Sequence, residues 1–231
     1  MAFKESVFSV SAEGAGFAVR RAGKTLETPL HYPLEVPSRA LAEAIVREFD
    51  TQGEKTDLRK MPHTQMALTA IDVTRLQRED ILKSLRRYAG TELICQRAEA
   101  PPDLVAAQEK AWNPYIDWCR ERFAANLQTG SGILPFEQKE DAVAALCSYI
   151  GTLDPFFLTG LGAACGALGS LVLGLALMER QAGVAEVFEA AELDALWQIR
   201  KWGDDPASQG RHGDIKRDLA VCAEWFSLLG K

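Results

Sequence analysis

An uncharged stretch of 24 residues, from Pro155 to Met178, limits the folds open to this chain more strongly than any other segment. A stretch of this length could cross a bilayer as one helix. Its centre is rich in glycine, however, and each glycine inside a helix costs about 1 kcal/mol relative to alanine. The flanks also lack aromatic belts and a side rich in Lys and Arg. We therefore predict two short buried helices that form a hairpin, and a membrane span is the alternative.

The first 36 residues have the patterns of β-strands. Apolar side chains alternate at Phe17 and Val19 and again from Leu30 to Val36, and residues 22–24 have the composition of a tight turn. Ser38 is a natural N-cap for the helix that follows. Further helices are predicted for residues 61–71 and 76–88, and residues 91–95 are predicted to return to the sheet as a strand.

The composition changes at residues 99–102, and every later segment has helical character. Three helices are predicted to begin where proline follows Asn or Asp, because the Asx side chain caps free amides and proline is tolerated in the first turn. Three glycines stand where helices are expected to stop. The predicted starts are Asn113-Pro114, Asp154-Pro155 and Asp205-Pro206, and the predicted stops are Gly151, Gly183 and Gly203.

These patterns together predict an α+β protein. Residues 1–100 form a small strand-rich α/β domain with β-hairpins, and residues 101–231 form an all-helical domain of six or seven helices. At 231 residues the chain is long enough for a substantial hydrophobic core.

Composition argues against several functional classes. The net charge of −6 disfavours nucleic acid, whose phosphates require a concentrated basic surface. The five cysteines are scattered through apolar stretches without a CxxC pair, which favours reduced core thiols over disulfides or a zinc site. The N-terminus lacks the features of a signal or transit peptide. We expect a bacterial cytoplasmic protein, with a processed organelle protein as the alternative.

The sequence contains no recognisable catalytic set. Its histidines, His31, His63 and His212, are not at metal-ligand spacing, and His63 beside Thr64 is a poor candidate for a dyad because sequence neighbours rarely form one. Glycines at 160, 162 and 166 miss the spacing of the dinucleotide fingerprint and are expected to serve helix packing. We therefore predict no enzymatic activity, no catalytic residue, no metal and no cofactor.

The segment from Met61 to Phe123 is dense in aromatic, acidic and arginine residues, which suggests a surface that holds another protein. Trp112 and Trp118 follow the apolar phase of a helix and are predicted to lie in the core. A second candidate surface lies in residues 189–203.

Helical spacing in this second region brings Asp194 near Gln198, and Gln198 near Trp202, on one face. A helix with Trp197 buried and its charges solvated would account for the pattern. An acid, an amide and a tryptophan in one stripe are also typical of protein contacts, where aromatics anchor and polar groups set the register.

Several blocks resemble those of one known family, in the same order. MPHTQMALTAID, residues 61–72, is similar to Met-Pro-x-Thr-x-x-x-x-Thr-Ala-Ile-Asp, and residues 88–98 are similar to Tyr-x-x-Thr-Glu-Leu-x-Cys-x-Arg-Ala. The Gln…Trp-Asp-Pro, GSLVLGLAL and LWQIRKWGDD blocks follow, so the resemblance spans residues 30 to 225. The family is that of the ATP synthase assembly chaperones of the alphaproteobacterial and mitochondrial type.

The resemblance implies a chaperone that binds the free α-subunit of the ATP synthase catalytic head. It would cover the surface that later meets the β-subunit, need neither cofactor nor ATP, avoid membranes and be monomeric when free. The client-binding residues implied are Glu192, Asp194, Gln198 and Trp202.

Three departures from the family pattern bear on this site. Gln96 replaces a usual Tyr, Asn113 a usual Asp, and Ala195 stands where an acid is usual, so Glu192 or Asp194 would have to supply that acid. Two other functions stay open. One is a membrane-associated assembly factor that uses residues 155–178, and the other is a small-molecule enzyme that joins His63 or His212 to Asp72 or a cysteine.

Overall fold

The computed structural model describes residues 7–52, 56–132, 136–203 and 206–230. The fold is α+β, as predicted, with the larger sheet near the N-terminus and helices after it. The chain groups into two compact units, of which unit 1 comprises Met1–Arg78, Asp154–Gly160 and Glu224–Lys231. Unit 2 comprises Glu79–Leu153 and Leu161–Ala223. The domain boundary expected near residue 100 stays a prediction.

Unit 1 contains an antiparallel four-stranded sheet in which β2 pairs with the other three strands. The turn between β2 and β3 is Ala22-Gly23, as predicted, and both residues have positive φ, of 49° and 81°. Such pairs are typical of two-residue hairpins, whose twist matches that of the strands. The strands are β1 (Phe8–Glu13), β2 (Gly16–Arg21), β3 (Lys24–Thr25) and β4 (Glu35–Val36).

The strand expected from Leu30 to Val36 is largely wrong. Only its last two residues are paired as β4, because the chain before them turns back on itself at a bridge between Glu27 and Pro33. His31, at the tip of this loop, has a φ of 62°. The prolines in the segment have no N–H to donate to a ladder, which favours a loop over a strand.

Helix α1 (Arg39–Asp50) begins at Ser38, as predicted, whose Oγ accepts a hydrogen bond of 3.1 Å from the amide of Leu41. Helix α2 (Pro62–Thr69) follows and continues into a π-helical turn, Ala70–Thr74. The two helices therefore occupy the region where sequence patterns placed them.

The carboxylate of Glu48, on α1, caps the start of α2. It accepts hydrogen bonds from the amides of His63 and Thr64, both at 2.8 Å, from His63 Nδ1 at 3.0 Å and from Thr64 Oγ1 at 2.6 Å. Burial alone would raise the pKa of Glu48, but these hydrogen bonds outweigh it and the pKa lies below its ordinary value. The Met-Pro-x-Thr block thus has a structural role in beginning α2.

We expect Glu48→Ala to lower the free energy of unfolding by about 2 kcal/mol at pH 7, because a cap with several hydrogen bonds is lost. Since the folded-state pKa is lowered, the ionised carboxylate stabilises the fold above its ordinary pKa, and this contribution disappears as the pH falls through the folded pKa. Urea unfolding at pH 7 and pH 3.5 measures both effects. Glu43→Ala, on the same helix, removes a partly exposed side chain whose ion pair with Arg39 lies at the surface, and should change stability by less than about 0.5 kcal/mol. Equal losses for both variants would contradict the capping role.

Seven α-helices follow residue 101 within the described residues, at the upper end of the predicted number. Gly151 and Gly203 lie at helix ends as predicted, whereas Gly183 begins a helix instead of ending one. The helices that follow α3 (Arg78–Gly90) are α4 (Pro102–Phe123), α5 (Glu140–Ile150), α6 (Pro155–Leu168), α7 (Leu171–Met178), α8 (Val184–Ala191), α9 (Leu193–Trp202) and α10 (Pro206–Leu228).

The three predicted Asx-Pro starts have different outcomes. Asp154 caps α6 as predicted, and its Oδ1 accepts from the amides of Phe156 and Phe157 at 2.7 and 3.0 Å. The start at Asn113-Pro114 is wrong, because Pro114 lies inside α4. Helix α10 begins at Pro206, and Asp205 lies outside the described residues.

The strand predicted for residues 91–95 is also wrong. Leu93–Cys95 form a 3-10 turn, and the short strand that follows, β5 (Gln96–Arg97), pairs in parallel with β6 (Gly130–Ser131) and not with the larger sheet. A run of apolar residues this short does not distinguish a strand from a buried turn.

The helical hairpin is confirmed, and its second helix is the one that is buried throughout. Helices α6 and α7 are separated at Gly169, which has a φ of 68°, and every residue of α7 is buried. In unit 2, a Cβ added at Gly174 would lie 2.8 Å from Cys165 Sγ, so glycine permits the close approach of the two helices. Within the described ranges, no helix has both the length and the apolar character to cross a membrane.

Glu92 satisfies the first amides of α7 from within the core of unit 2. Its carboxylate accepts from the hydroxyl of Ser170 and from the amides of Leu171 and Val172, at 3.1 and 3.2 Å. Ser170 Oγ in turn accepts from the amide of Leu173 at 3.0 Å. A helix that is apolar on every side is therefore capped by one buried acid.

Candidate protein-contact surface on helix α9

Helix α9 belongs to unit 2 and carries three of the four predicted client-binding residues on one face. Asp194, Gln198 and Trp202 are four residues apart and all are exposed. Trp202 has 75% of its surface exposed, more than any other large hydrophobic residue that is described. A tryptophan this exposed is unusual on a surface that meets only water.

Neighbouring side chains hold the tryptophan end of α9. The rings of Trp197 and Trp202 meet edge to face with centroids 5.7 Å apart. Lys201 Nζ lies 5.2 Å from the centre of the Trp197 ring and 3.0 Å from Asp103 Oδ2 on α4. Trp197 is half-buried, so the interpretation in which it is simply buried is only partly correct.

Asp194 is fixed by a buried amide beneath it. Its Oδ1 accepts from Gln108 Nε2 at 2.8 Å, and Gln108 Oε1 accepts from the amide of Ala98, also at 2.8 Å. Gln108 is fully buried on α4, so the position of the carboxylate is set by the core. A charged group held in this way loses little rotamer entropy on contact with a partner.

Glu192 is not on the exposed face. It precedes α9, its side chain is 11% exposed, and its carboxylate forms an ion pair with Arg211 and lies 3.2 Å from His212 Nε2. The carboxylate therefore faces α10. Of the two acids expected to replace the one missing at Ala195, only Asp194 is exposed.

Two cavities in unit 2 lie on either side of α9. The first, of about 680 Å³, has a mixed lining in which Tyr115, Leu193 and Leu196 lie beside Glu186, Glu189 and Arg200. The second, of about 560 Å³, is lined by Glu92, Gln96, Trp112, Phe136, Glu192 and Asp194. Helix α9 thus forms a ridge between two grooves.

Gln96 and Trp112 shape the second groove. Gln96 accepts from the amide of Phe136 and donates to the carbonyl of Gly132, both at 2.8 Å, and so fixes two residues that line the groove. Trp112 is 2% exposed and donates from Nε1 to the carbonyl of Ala190 at 2.8 Å, so its predicted core position is confirmed. Trp118 is only half-buried.

The enzyme alternative would join His63 or His212 to Asp72 or a cysteine, and these pairs do not form among the described residues. His63 contacts Glu48, and His212 contacts Glu192. Asp72 instead accepts hydrogen bonds from Thr28 and Leu30. In the described part of the chain, no group of three His, Cys, Asp or Glu residues could hold a metal ion.

Comparison with known proteins identifies the family. Residues 3–120 match the family model described as ATP12 chaperone protein. This chain belongs to the ATP12 chaperone family. The resemblance inferred from the sequence blocks is therefore confirmed, and the chain is a member of a family of assembly chaperones.

Solved structures agree with this assignment. The crystal structure of Atp12 from Paracoccus denitrificans has a TM-score of 0.91 at 31% identity, covering 96% of this chain and 95% of that one. A mutant of Atp12p from the same organism gives 0.92 at the same identity and coverage. A protein from Agrobacterium tumefaciens, proposed to be a chaperone, gives 0.90 at 30% identity, covering 97% of this chain and 84% of that one.

Several family blocks have structural roles that the sequence did not predict. Glu92, of the Thr-Glu-Leu block, caps α7, and Thr64, of the Met-Pro-x-Thr block, is held by Glu48. Gln108, which fixes Asp194, carried no signal beyond its place in the Gln…Trp block.

Proposed function

We propose that this ATP12 family member binds the free α-subunit of the ATP synthase catalytic head. It covers the surface that later meets the β-subunit and releases the α-subunit during assembly. It acts as a monomer in a bacterial cytoplasm, without catalysis or cofactor. The observation that carries the proposal is the exposed face of α9, formed by Asp194, Gln198 and Trp202.

The physical argument rests on what an unassembled subunit exposes. A subunit awaiting its partner presents a large apolar interface that would otherwise aggregate. A chaperone that covers this interface needs only to bind the subunit less tightly than the β-subunit finally does. Trp202 supplies a large apolar anchor, and such residues contribute most of the binding energy in protein interfaces.

The polar residues of the face supply the register. Asp194 is held by Gln108 and so presents a charge at a defined position. Charged groups of this kind increase association rates and discriminate against wrong partners more than they increase affinity. Glu192 acts indirectly in this proposal, by tying the start of α9 to Arg211 and His212.

We expect Trp202→Ala to weaken binding of the α-subunit by about 30-fold, the loss typical of a central aromatic anchor. The measurement is recovery of free α by the tagged protein co-expressed with the α- and β-subunits of its own ATP synthase, followed by titration of the purified pair. Added β-subunit should displace the chaperone. Leu58→Ala, an exposed apolar residue in unit 1, is the control and should bind normally. Recovery of neither subunit by the wild-type chain would refute the proposal.

A further inference from the structure

Unit 1 has a second surface, where an acid is buried and several large apolar side chains are exposed. In the π-helical turn, Asp72 is buried at 8% exposure, whereas Val73 is 38% exposed and Leu76, just beyond it, 53%. Leu30, on the loop before β4, is 54% exposed. Buried acids and exposed large apolar side chains are the two deviations that carry the most information about function.

The buried acid brings these residues together. Asp72 Oδ1 accepts from Thr28 Oγ1 at 2.6 Å, and Oδ2 accepts from the amide of Leu30 at 3.2 Å. The loop that carries Leu30 is therefore fixed against the π-helical turn that carries Val73. The exposed apolar side chains are therefore carried by two segments that Asp72 holds next to each other.

The π-helical turn determines which side chains face outward. The amide of Arg75 donates to the carbonyl of Ala70 at 3.1 Å, five residues back, which inserts an extra residue into the turn. Thr74 points inward, where its Oγ1 lies 2.7 Å from Thr159 Oγ1 of the same unit. Val73 and Leu76 are left outside. Single π-turns of this kind occur frequently at functional sites.

A cation and an aromatic ring complete the surface. The Arg75 guanidinium lies 4.3 Å from the centre of the Tyr32 ring. Among residues 7–52, 56–132, 136–203 and 206–230, Arg75 has no ion-pair partner, and Asp72 is committed to Thr28 and Leu30. Arginine and tyrosine are two of the residue types that are enriched in binding hot spots.

We propose that the surface formed by Leu30, Tyr32, Val73, Arg75 and Leu76, here the Leu76 surface, is a second contact site for the client. Its occupant is an apolar segment of the client that carries a carboxylate, which pairs with Arg75. A second copy of this chain fits less well, because a two-fold contact centred here would bring one Arg75 close to the other. The client is the α-subunit of the proposed function, so the test must separate the two proposals.

The test compares binding of purified α-subunit by the wild-type chain and by Leu76→Asp, Arg75→Glu and Arg75→Leu. The first two should weaken binding by about tenfold or more, through a charge in an apolar contact and through repulsion of the carboxylate. Arg75→Leu should reduce the salt dependence of the affinity, since screening acts on the ion pair. Leu58→Asp, an exposed leucine outside the surface, should bind within about twofold of the wild type.

The outcomes distinguish the two proposals. If the wild-type chain binds the α-subunit and the Leu76→Asp and Arg75→Glu variants bind equally well, only the Leu76 surface is overturned. If the wild-type chain does not bind, both proposals fail. Sedimentation velocity supplies a further check, because a wild-type dimer that Leu76→Asp removes would assign the surface to a second copy. Circular dichroism should show unchanged melting temperatures, as expected for exposed positions.

Discussion

Replacing Glu92 with alanine is expected to lower the free energy of unfolding by about 3 to 5 kcal/mol near pH 5.5. The substitution leaves the Ser170 hydroxyl and the amides of Leu171 and Val172 buried without their acceptor. Each such group costs roughly 1 to 3 kcal/mol when it is left unpaired. Ser170 and every residue of α7 are buried, so the three donors lose hydrogen bonds that the folded chain makes in its interior. The loss should appear as a lower urea midpoint with an unchanged slope.

The same residue gives the stability a predictable pH dependence. Burial raises the pKa of Glu92 to about 7, although the hydrogen bonds from Ser170 and α7 oppose the shift. The folded state therefore holds its proton more tightly than the unfolded chain, whose carboxyl group ionises near its ordinary pKa. Stability from this group is greatest below the unfolded pKa, and falls as the pH rises toward the folded value. The decrease between pH 5.5 and pH 8 should be about 2 kcal/mol.

The comparison that isolates this effect is urea unfolding of the wild-type chain and Glu92→Ala at both pH values. The stability of the variant should lack the pH dependence that Glu92 contributes. Its loss of unfolding free energy relative to the wild type should therefore be smaller at pH 8 than at pH 5.5. Glu121→Ala, an exposed substitution on α4, should follow the wild type at both. A deficit for Glu92→Ala that does not change with pH would show that the carboxyl does not titrate in this range.

Gly174→Val is expected to prevent unit 2 from folding, and Gly174→Ala to destabilise it by about 2 kcal/mol. A Cβ at this position would lie 2.8 Å from Cys165 Sγ and 3.3 Å from Leu161 Cδ1, on the facing helix of the hairpin. Extra atoms in a packed core force shifts that typically cost about 1 to 3 kcal/mol. Valine adds two further methyl groups and restricts the rotamers available.

Gly166 provides a matched control, because its replacement by alanine is expected to stabilise the protein and not to destabilise it. It lies within α6, is exposed, and has no atom within 4 Å of an added Cβ. Gly166→Ala should therefore stabilise the protein by about 0.5 to 1 kcal/mol, through helix propensity alone. Thermal unfolding of the two alanine variants tests the contrast. Cys165→Ala in the Gly174→Ala background should restore part of the loss, and no recovery would exclude the sulfur contact as its source.

Features set by neighbouring residues were predictable from the sequence. Ser38 and Asp154 cap the helices they were expected to cap, because the acceptor and the donated amides lie within three residues of each other. The turn at Ala22-Gly23 and the hairpin divided at Gly169 depend likewise on local conformational preference. The exposed face of α9 follows from helical spacing once the helix forms.

Features that depend on distant residues were decided by the tertiary structure. Pro114 was expected to begin a helix, but it lies within α4, where burial of Trp112 and Cys119 offsets a local cost of about 3 kcal/mol. Glu192 was named with Asp194 as a possible substitute for the acid missing at Ala195, yet it faces α10, because Arg211 and His212 lie there. Helical periodicity identifies the residues that share one face of a helix, but it does not identify the residues that pack against that face.

The order of the sequence blocks determined the family, and local residue patterns determined the α+β class and the hairpin, since each rests on residue types at short spacing in the sequence. Only the tertiary structure decided which acids are buried and what they hold. Glu92 caps a helix that begins 79 residues later, and Asp72 fixes a loop 42 residues earlier. Such pairs leave no periodic trace in the sequence, because a buried carboxylate is stabilised by whichever donors the folded chain brings to it.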